Sequence, residues 1–117
     1  MSITDRAAQV LQQIDAALAL AEKATPGPWR HHKTGYAIHG FDGGFICKTE
    51  YADKDAAKHR QENATFIAAS RTILPASLRC LRTAIEGLEA AHVALPDGDD
   101  TAWNALAAIC DTWEARR

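Results

Sequence analysis

Apolar positions along the first two dozen residues follow a helical period. Ile3, Ala7, Val10, Ile14, Ala17 and Ala21 recur in steps of four and three, and Leu11 and Leu18 widen the stripe. This spacing predicts a long amphipathic helix of about five turns. Ser2 offers a hydroxyl cap, with Asp5 near the positive end of the helix. The helix must stop near Ala24, because Thr25 precedes Pro26 and a residue before proline is pushed out of the α region. Thr25-Pro26-Gly27-Pro28 reads as a type II turn in which Gly27 takes the positive φ.

Beyond the turn the period changes to two. Trp29, Tyr36, Ile38, Phe45 and Cys47 are spaced like strand residues, and Lys33-Thr34-Gly35 and Asp42-Gly43-Gly44 suit tight connections between them. The pattern predicts two or three short strands between about 29 and 49. A hairpin alone is marginal in water, so it must lean on helices, with Trp29 as the docking ring.

Helical spacing returns from about Asp53, where Asp53 or Asp55 can cap. Ala64, Ile67, Ser70 and Leu74 fall on one face with Phe66 beside them. Pro75 fits the first turn of a new helix, where its missing N–H costs nothing. Leu74, Leu78, Leu81, Ile85, Leu88, His92 and Leu95 then alternate steps of four and three, the seam of helix-on-helix packing. Leu95-Pro96-Asp97-Gly98 ends that helix. Asp99 or Asp100 starts a last one, whose Trp103, Leu106, Cys110 and Trp113 share a narrow face. The expected fold is α+β and mainly α: a long helix, a short β-hairpin or three-stranded meander, then three helices packed as a small bundle. One domain is expected over 1–117, divided into a helix (1–24), a turn and β insert (25–52), two helices (53–95), and an acidic loop with the terminal helix (96–117). Trp29, Phe66, Leu81 and Trp103 are its expected structural anchors.

Composition narrows the class. An apolar share of 47% and a charged share of 24% in 117 residues are those of a globular domain. Net charge is −2, which argues against a general nucleic-acid binder, since such a protein needs many cations to displace phosphate counterions. The charge is uneven. Residues 25–60 carry Arg30, Lys33, Lys48, Lys54, Lys58 and Arg60, whereas Asp97, Asp99, Asp100, Asp111 and Glu114 make the last segment acidic. Cys47, Cys80 and Cys110 show no CxxC spacing and read as reduced thiols, mainly core fillers, in a cytoplasmic protein. No signal peptide or membrane-length apolar run is read in the sequence.

Candidate chemistry is sparse. His31, His32, His39, Cys47 and His59 are of zinc-ligating type, but neither CxxC nor HExxH is present, and adjacent histidines on a strand point to opposite faces. They read as surface histidines; no metal or other cofactor is expected. His92 sits among leucines near a helix C-terminus, where the last carbonyls favour positive charge. Ser70, Ser77 and the cysteines lie in no nucleophile motif, and Asp97, Asp99 and Asp100 lack the EF-hand spacing. No catalytic residue is assigned, and an enzyme is not expected.

Two segments carry a resemblance. Ala24-Thr25-Pro26-Gly27-Pro28-Trp29, followed at a distance by Asn63-Ala64-Thr65-Phe66-Ile67-Ala68-Ala69 and a leucine-spaced helix, resembles the Ead-like early proteins of lambdoid phages and prophages over roughly residues 14–92. The segment from Pro96 onward lies outside it. The resemblance implies a small accessory product of the bacterial host cytoplasm, with no known catalytic set, acting by binding a host or defence protein. Inhibition of a CRISPR effector is one such role. The expected partner-binding residues are Trp113, Arg30, Lys33 and Lys48, and the partner is a host protein or a second copy of the chain. The alternatives are a nucleic-acid-associated regulator, which would need Arg30, Lys33 and Lys48 on one exposed face of the 30–60 segment, and a metal-dependent hydrolase using the histidines.

Overall fold

A computed structural model describes residues 1–31, 37–49 and 59–116. In chain order these form α1 (Ile3–Lys23), β1 (Arg30–His31), β2 (Ala37–His39), β3 (Phe45–Lys48), α2 (Arg60–Ala94) and α3 (Thr101–Glu114). Tyr36, the Lys33-Thr34-Gly35 connection and the proposed caps Asp53 and Asp55 lie outside the described residues. The chain divides into two compact units, one of Met1–Leu18 with Ser77–Arg117 and the other of Ala19–Ala76.

In the first unit three helical segments share one core. Ala7, Val10 and Ile14 from α1, Leu78 and Ile85 from α2, and Leu106 and Cys110 from α3 are all buried in it. These are the residues of the predicted stripes, so the periodicity placed the core faces correctly. Trp103, Trp113, Leu81 and Leu88 pack against this core from its edge. Ser2 caps α1 by accepting the Asp5 N–H at 3.1 Å. Between α2 and α3 the chain turns at Gly98, whose φ of +89° is the left-handed conformation glycine adopts without a Cβ clash. Asp99 Oδ1 then accepts both the N–H (3.1 Å) and the hydroxyl (2.7 Å) of Thr101. Asp100 precedes α3 but makes no side-chain cap bond. His92 stacks on Trp103, with ring centroids 4.4 Å apart.

In the second unit a meander with strand order β1-β2-β3, antiparallel throughout, lies against α2. Ile38 pairs with His31 on one side and Cys47 on the other, and Ile38 is fully buried with Ala64 and Ala68. Trp29, Ile46, Cys47 and Ile67 close this small core. The end of β3 is tied to the start of α2 by a reciprocal pair: Thr49 Oγ1 donates to the Arg60 carbonyl and Arg60 Nε to the Thr49 carbonyl, both at 2.9 Å.

Four expectations are corrected. Pro75 does not begin a helix; α2 runs through it for 35 residues, so two described helices, not three, follow the sheet. An interior proline costs about 3 kcal/mol, and α2 carries buried residues before it (Ala64, Ala68) and after it (Leu78, Ile85) that offset the loss. Gly27 has no positive φ, and the Gly27–Pro28 peptide is cis. Glycine there leaves room for the Arg71 stem, whose Cγ a Cβ would meet at 3.0 Å. Phe66 is no anchor but 74% exposed, and Leu74 is 54% exposed. The core face of α2 before Pro75 runs through Ala64 and Ala68, leaving Phe66 and Leu74 off it. Cys80 is exposed and Cys47 half-buried, so of the three free cysteines only Cys110 is a true core filler.

Ile85→Ala is expected to destabilise the protein by about 2–5 kcal/mol, lost burial plus a cavity, whereas Leu74→Ala is expected to cost less than about 1 kcal/mol. Urea titration of the two variants checks the contrast; similar losses would place Leu74 in a core.

Candidate binding groove

The C-terminal half of α3 is positioned by polar ties to α1. Arg6 donates from Nε and Nη2 to the two carboxylate oxygens of Glu114, each at 2.9 Å, and Nη2 also reaches Asp111 at 2.5 Å. A bidentate guanidinium–carboxylate pair fixes direction as well as distance. Arg6 holds the Glu114 carboxyl below the usual carboxylate range, and those carboxylates in turn raise Arg6. The Trp113 indole N–H donates to Gln13 Oε1 at 2.7 Å. Arg116 donates to the same oxygen at 2.7 Å and to the Trp113 carbonyl at 2.7 Å, while its guanidinium lies 4.2 Å from the Trp113 ring centre. Arg82 pairs with Asp15 at 2.8 Å and with Glu86 on its own helix, and holds the Asp15 carboxyl low.

With Trp113 fixed in this way, Leu81 of α2 and Ala108, Ile109, Thr112, Trp113 and Arg116 line a groove of about 450 Å³. A smaller cavity of about 230 Å³ shares Trp113 and Arg116 and is lined otherwise by Arg6, Gln9, Val10, Gln13 and Glu114. Among the described residues Arg116 is the one charged residue lining the larger groove. The described residues that line it give an apolar surface with a cationic rim. Trp113 is half-buried, neither a free surface ring nor a core residue, and packs against the first unit's core.

The remaining candidates lie in the second unit. Arg30 and Lys48 are exposed on β1 and β3, and Lys33 lies outside the described residues. Trp29 docks by donating from Nε1 to the Thr25 carbonyl at 2.9 Å, with the Arg71 guanidinium 5.9 Å from its ring centre. His31 and His39 lie on opposite faces of the sheet. His31 pairs with Ile38 and so takes the inner face of the sheet, while His39 pairs with Arg30 and Phe45 on the outer face. Among the described residues no group of three His, Cys, Asp or Glu is placed to hold a metal; His32 lies outside them. Sequence reasoning named Leu81 and Trp113 but missed Ala108, Ile109, Thr112 and Arg116. The available signal was the spacing 109, 112, 113, 116, one helical face beside the core stripe. Among the described residues no helix is long and apolar enough to cross a membrane.

A family model described as Salmonella phage P22 protein Y8K6 matches residues 6–112. The chain belongs to that family. It is thus a phage protein, the coarser part of what the resemblance implied. The family is P22 Y8K6, however, and the Ead-like assignment is not what the match supports. The P22 Y8K6 match also continues past Pro96, where the expected resemblance stopped, and takes in Leu81, Ala108, Ile109 and Thr112 of the groove. Neither the curated proteins nor the solved structures compared with the chain include a match.

The Arg6–Glu114 pair has a pH signature. Because the folded-state pKa of Glu114 is depressed below its ordinary 4.5, its contribution is present above that value and is lost as pH falls through the folded pKa. The melting temperature should therefore drop on acidification from neutral toward about pH 3, and Glu114→Gln should remove part of that drop while lowering stability near neutrality. An unchanged profile in the variant would show that the pair does not tie α1 to α3.

Proposed function

We propose that this member of the P22 Y8K6 family is an accessory protein that acts by binding another protein, seating one amphipathic helix of its partner in the groove between α2 and α3. The observation that carries this reading is the groove itself, apolar along Leu81, Ala108 and Ile109 and edged by Arg116. Helix-in-groove recognition uses apolar anchors spaced three and four residues apart. An acidic residue on the partner helix would complement Arg116. Family membership supports a phage setting, and a host regulatory or defence factor is the partner class that fits a small phage product without an evident catalytic set. Inhibition of a CRISPR effector is the narrowest form of this reading. Kinship with the Ead-like early proteins rests on the two quoted segments alone.

Ala108→Glu is the informative variant, because Ala108 is exposed in the lining and a carboxylate there would put charge into the apolar groove and repel an acidic partner helix. Capture of a host protein by the tagged wild type should fall at least about ten-fold in the variant, equivalent to roughly 1.4 kcal/mol. The melting temperature should change little. Equal capture by both forms, or none by the wild type, would overturn the reading.

A further inference from the structure

The smaller cavity, of about 230 Å³, shares Trp113 and Arg116 with the groove but differs from it in chemistry. One wall is a face of α1, where Arg6, Gln9 and Gln13 follow one another at helical spacing. Gln13 Oε1 accepts from two groups, the Trp113 indole N–H and an Arg116 guanidinium N–H, each at 2.7 Å. Both of those partners can only donate, so the oxygen is fixed and the Gln13 amide N–H pair is left over. Among the described residues neither that pair nor Gln9 has a hydrogen-bond partner. Arg116 uses one N–H on Gln13 and one on the Trp113 carbonyl, and a guanidinium has further N–H groups to offer. Its bond to that carbonyl also covers the negative end of the α3 dipole. Among the described residues of the lining the only acid is Glu114, and Arg6 already neutralises it: both carboxylate oxygens accept from Arg6 at 2.9 Å. Arg116 meets no carboxylate among the described residues.

We propose that this cavity is a carboxylate site, and that its occupant is the side chain of an aspartate or glutamate carried by the partner helix in the groove. Surplus donors beside a guanidinium select an anion that only accepts, and the two oxygens of a carboxylate can take bonds from Arg116 and Gln13 together. A neutral amide or hydroxyl offers fewer acceptors and no charge, and a cation would be repelled by Arg116. The volume lies below the roughly 300 Å³ at which small-molecule pockets begin, which suits a side-chain group better than a free metabolite. Because Trp113 and Arg116 line both hollows, the cavity adjoins the groove and can take one side chain of a helix lying there. The inference rests on the helix-in-groove reading and adds its specificity determinant. Arg116 supplies the charge; the Gln13 oxygen holds Trp113 in place while its amide N–H groups distinguish an acid from a neutral residue.

One substitution separates the two roles of Gln13. In Gln13→Glu a carboxylate oxygen still accepts from Trp113 and Arg116, whereas the donor pair is lost and a negative charge takes its place. The probe is N-acetylglutamate α-amide, which carries a single side-chain carboxylate, and N-acetylglutamine α-amide is its neutral match. Titrated at neutral pH and constant ionic strength, the acid should bind the wild type in the millimolar range. The Trp113 indole and Gln13 side-chain amide signals should move in proton–nitrogen NMR spectra, and the neutral match should leave both in place. Gln13→Glu and Arg116→Gln should each weaken binding of the acid at least about ten-fold, equivalent to roughly 1.4 kcal/mol. Both residues are exposed, so the variants should keep the wild-type melting temperature within a few degrees. No movement of these signals, equal movement with the neutral match, or undiminished binding by folded Gln13→Glu would overturn the proposal. The groove reading fails separately. Host capture that is lost in Ala108→Glu, with no response to the glutamate probe, keeps the groove and strikes the cavity; a response to the probe with no host capture keeps the carboxylate site and strikes the groove.

Discussion

A helix that ends in front of a proline leaves carbonyl groups pointing at nothing, and the second unit is arranged around the donor that satisfies them. Arg71, half-buried on α2, donates from Nη2 to the Ala21 carbonyl at 3.0 Å and from Nε to the Thr25 carbonyl at 3.1 Å. A cation here also meets the negative end of the α1 macrodipole. The Thr25 carbonyl takes a second bond from the Trp29 indole, so one oxygen locates both the arginine and the ring that covers the sheet's inner residues. The chain leaving α1 is thereby delivered to β1 in a fixed direction, with Ile38 turned inward and the Arg30–His39–Phe45 row outward.

The first unit obtains its polar definition differently. Its core is aliphatic, with Ile14, Ile85 and Leu106 fully buried, and such a core is tolerant of sliding. Arg6 on Glu114 and Asp111, Arg82 on Asp15, and Gln13 on Trp113 and Arg116 each fix one registration of the helices. Exposed ion pairs add little stability individually. Their contribution here is directional, and the placement of Trp113 at the mouth of the groove depends on it.

Much of this was legible in the residues. The stripes of α1, of α2 after Pro75 and of α3 named the first core, because a strict three-and-four spacing permits only one buried face. Trp29 as a docking ring, a small antiparallel insert of two or three strands and the stop at Leu95-Pro96-Asp97-Gly98 could also be read. Pro75 misled, since local propensity marks a helix start there while packing on both sides of it decides otherwise. Phe66 misled because large apolar residues are assumed inward, yet small alanines form the contact face of that half of α2. The groove was less visible. Ala108 and Thr112 signal nothing by residue type; what distinguishes them is which neighbours the fold gives them.

Gly27 and Arg71 lie 44 positions apart, yet any side chain at the first would meet the stem of the second at 3.0 Å. The two residues are one structural decision. A homologue that replaced the glycine alone would press on the Arg71 stem, which would have to give by a few tenths of an ångström, and one that lost the arginine alone would remove that close approach. Descent within the P22 Y8K6 family should therefore retain or exchange this pair together, a correlated signature of how the end of α1 is closed.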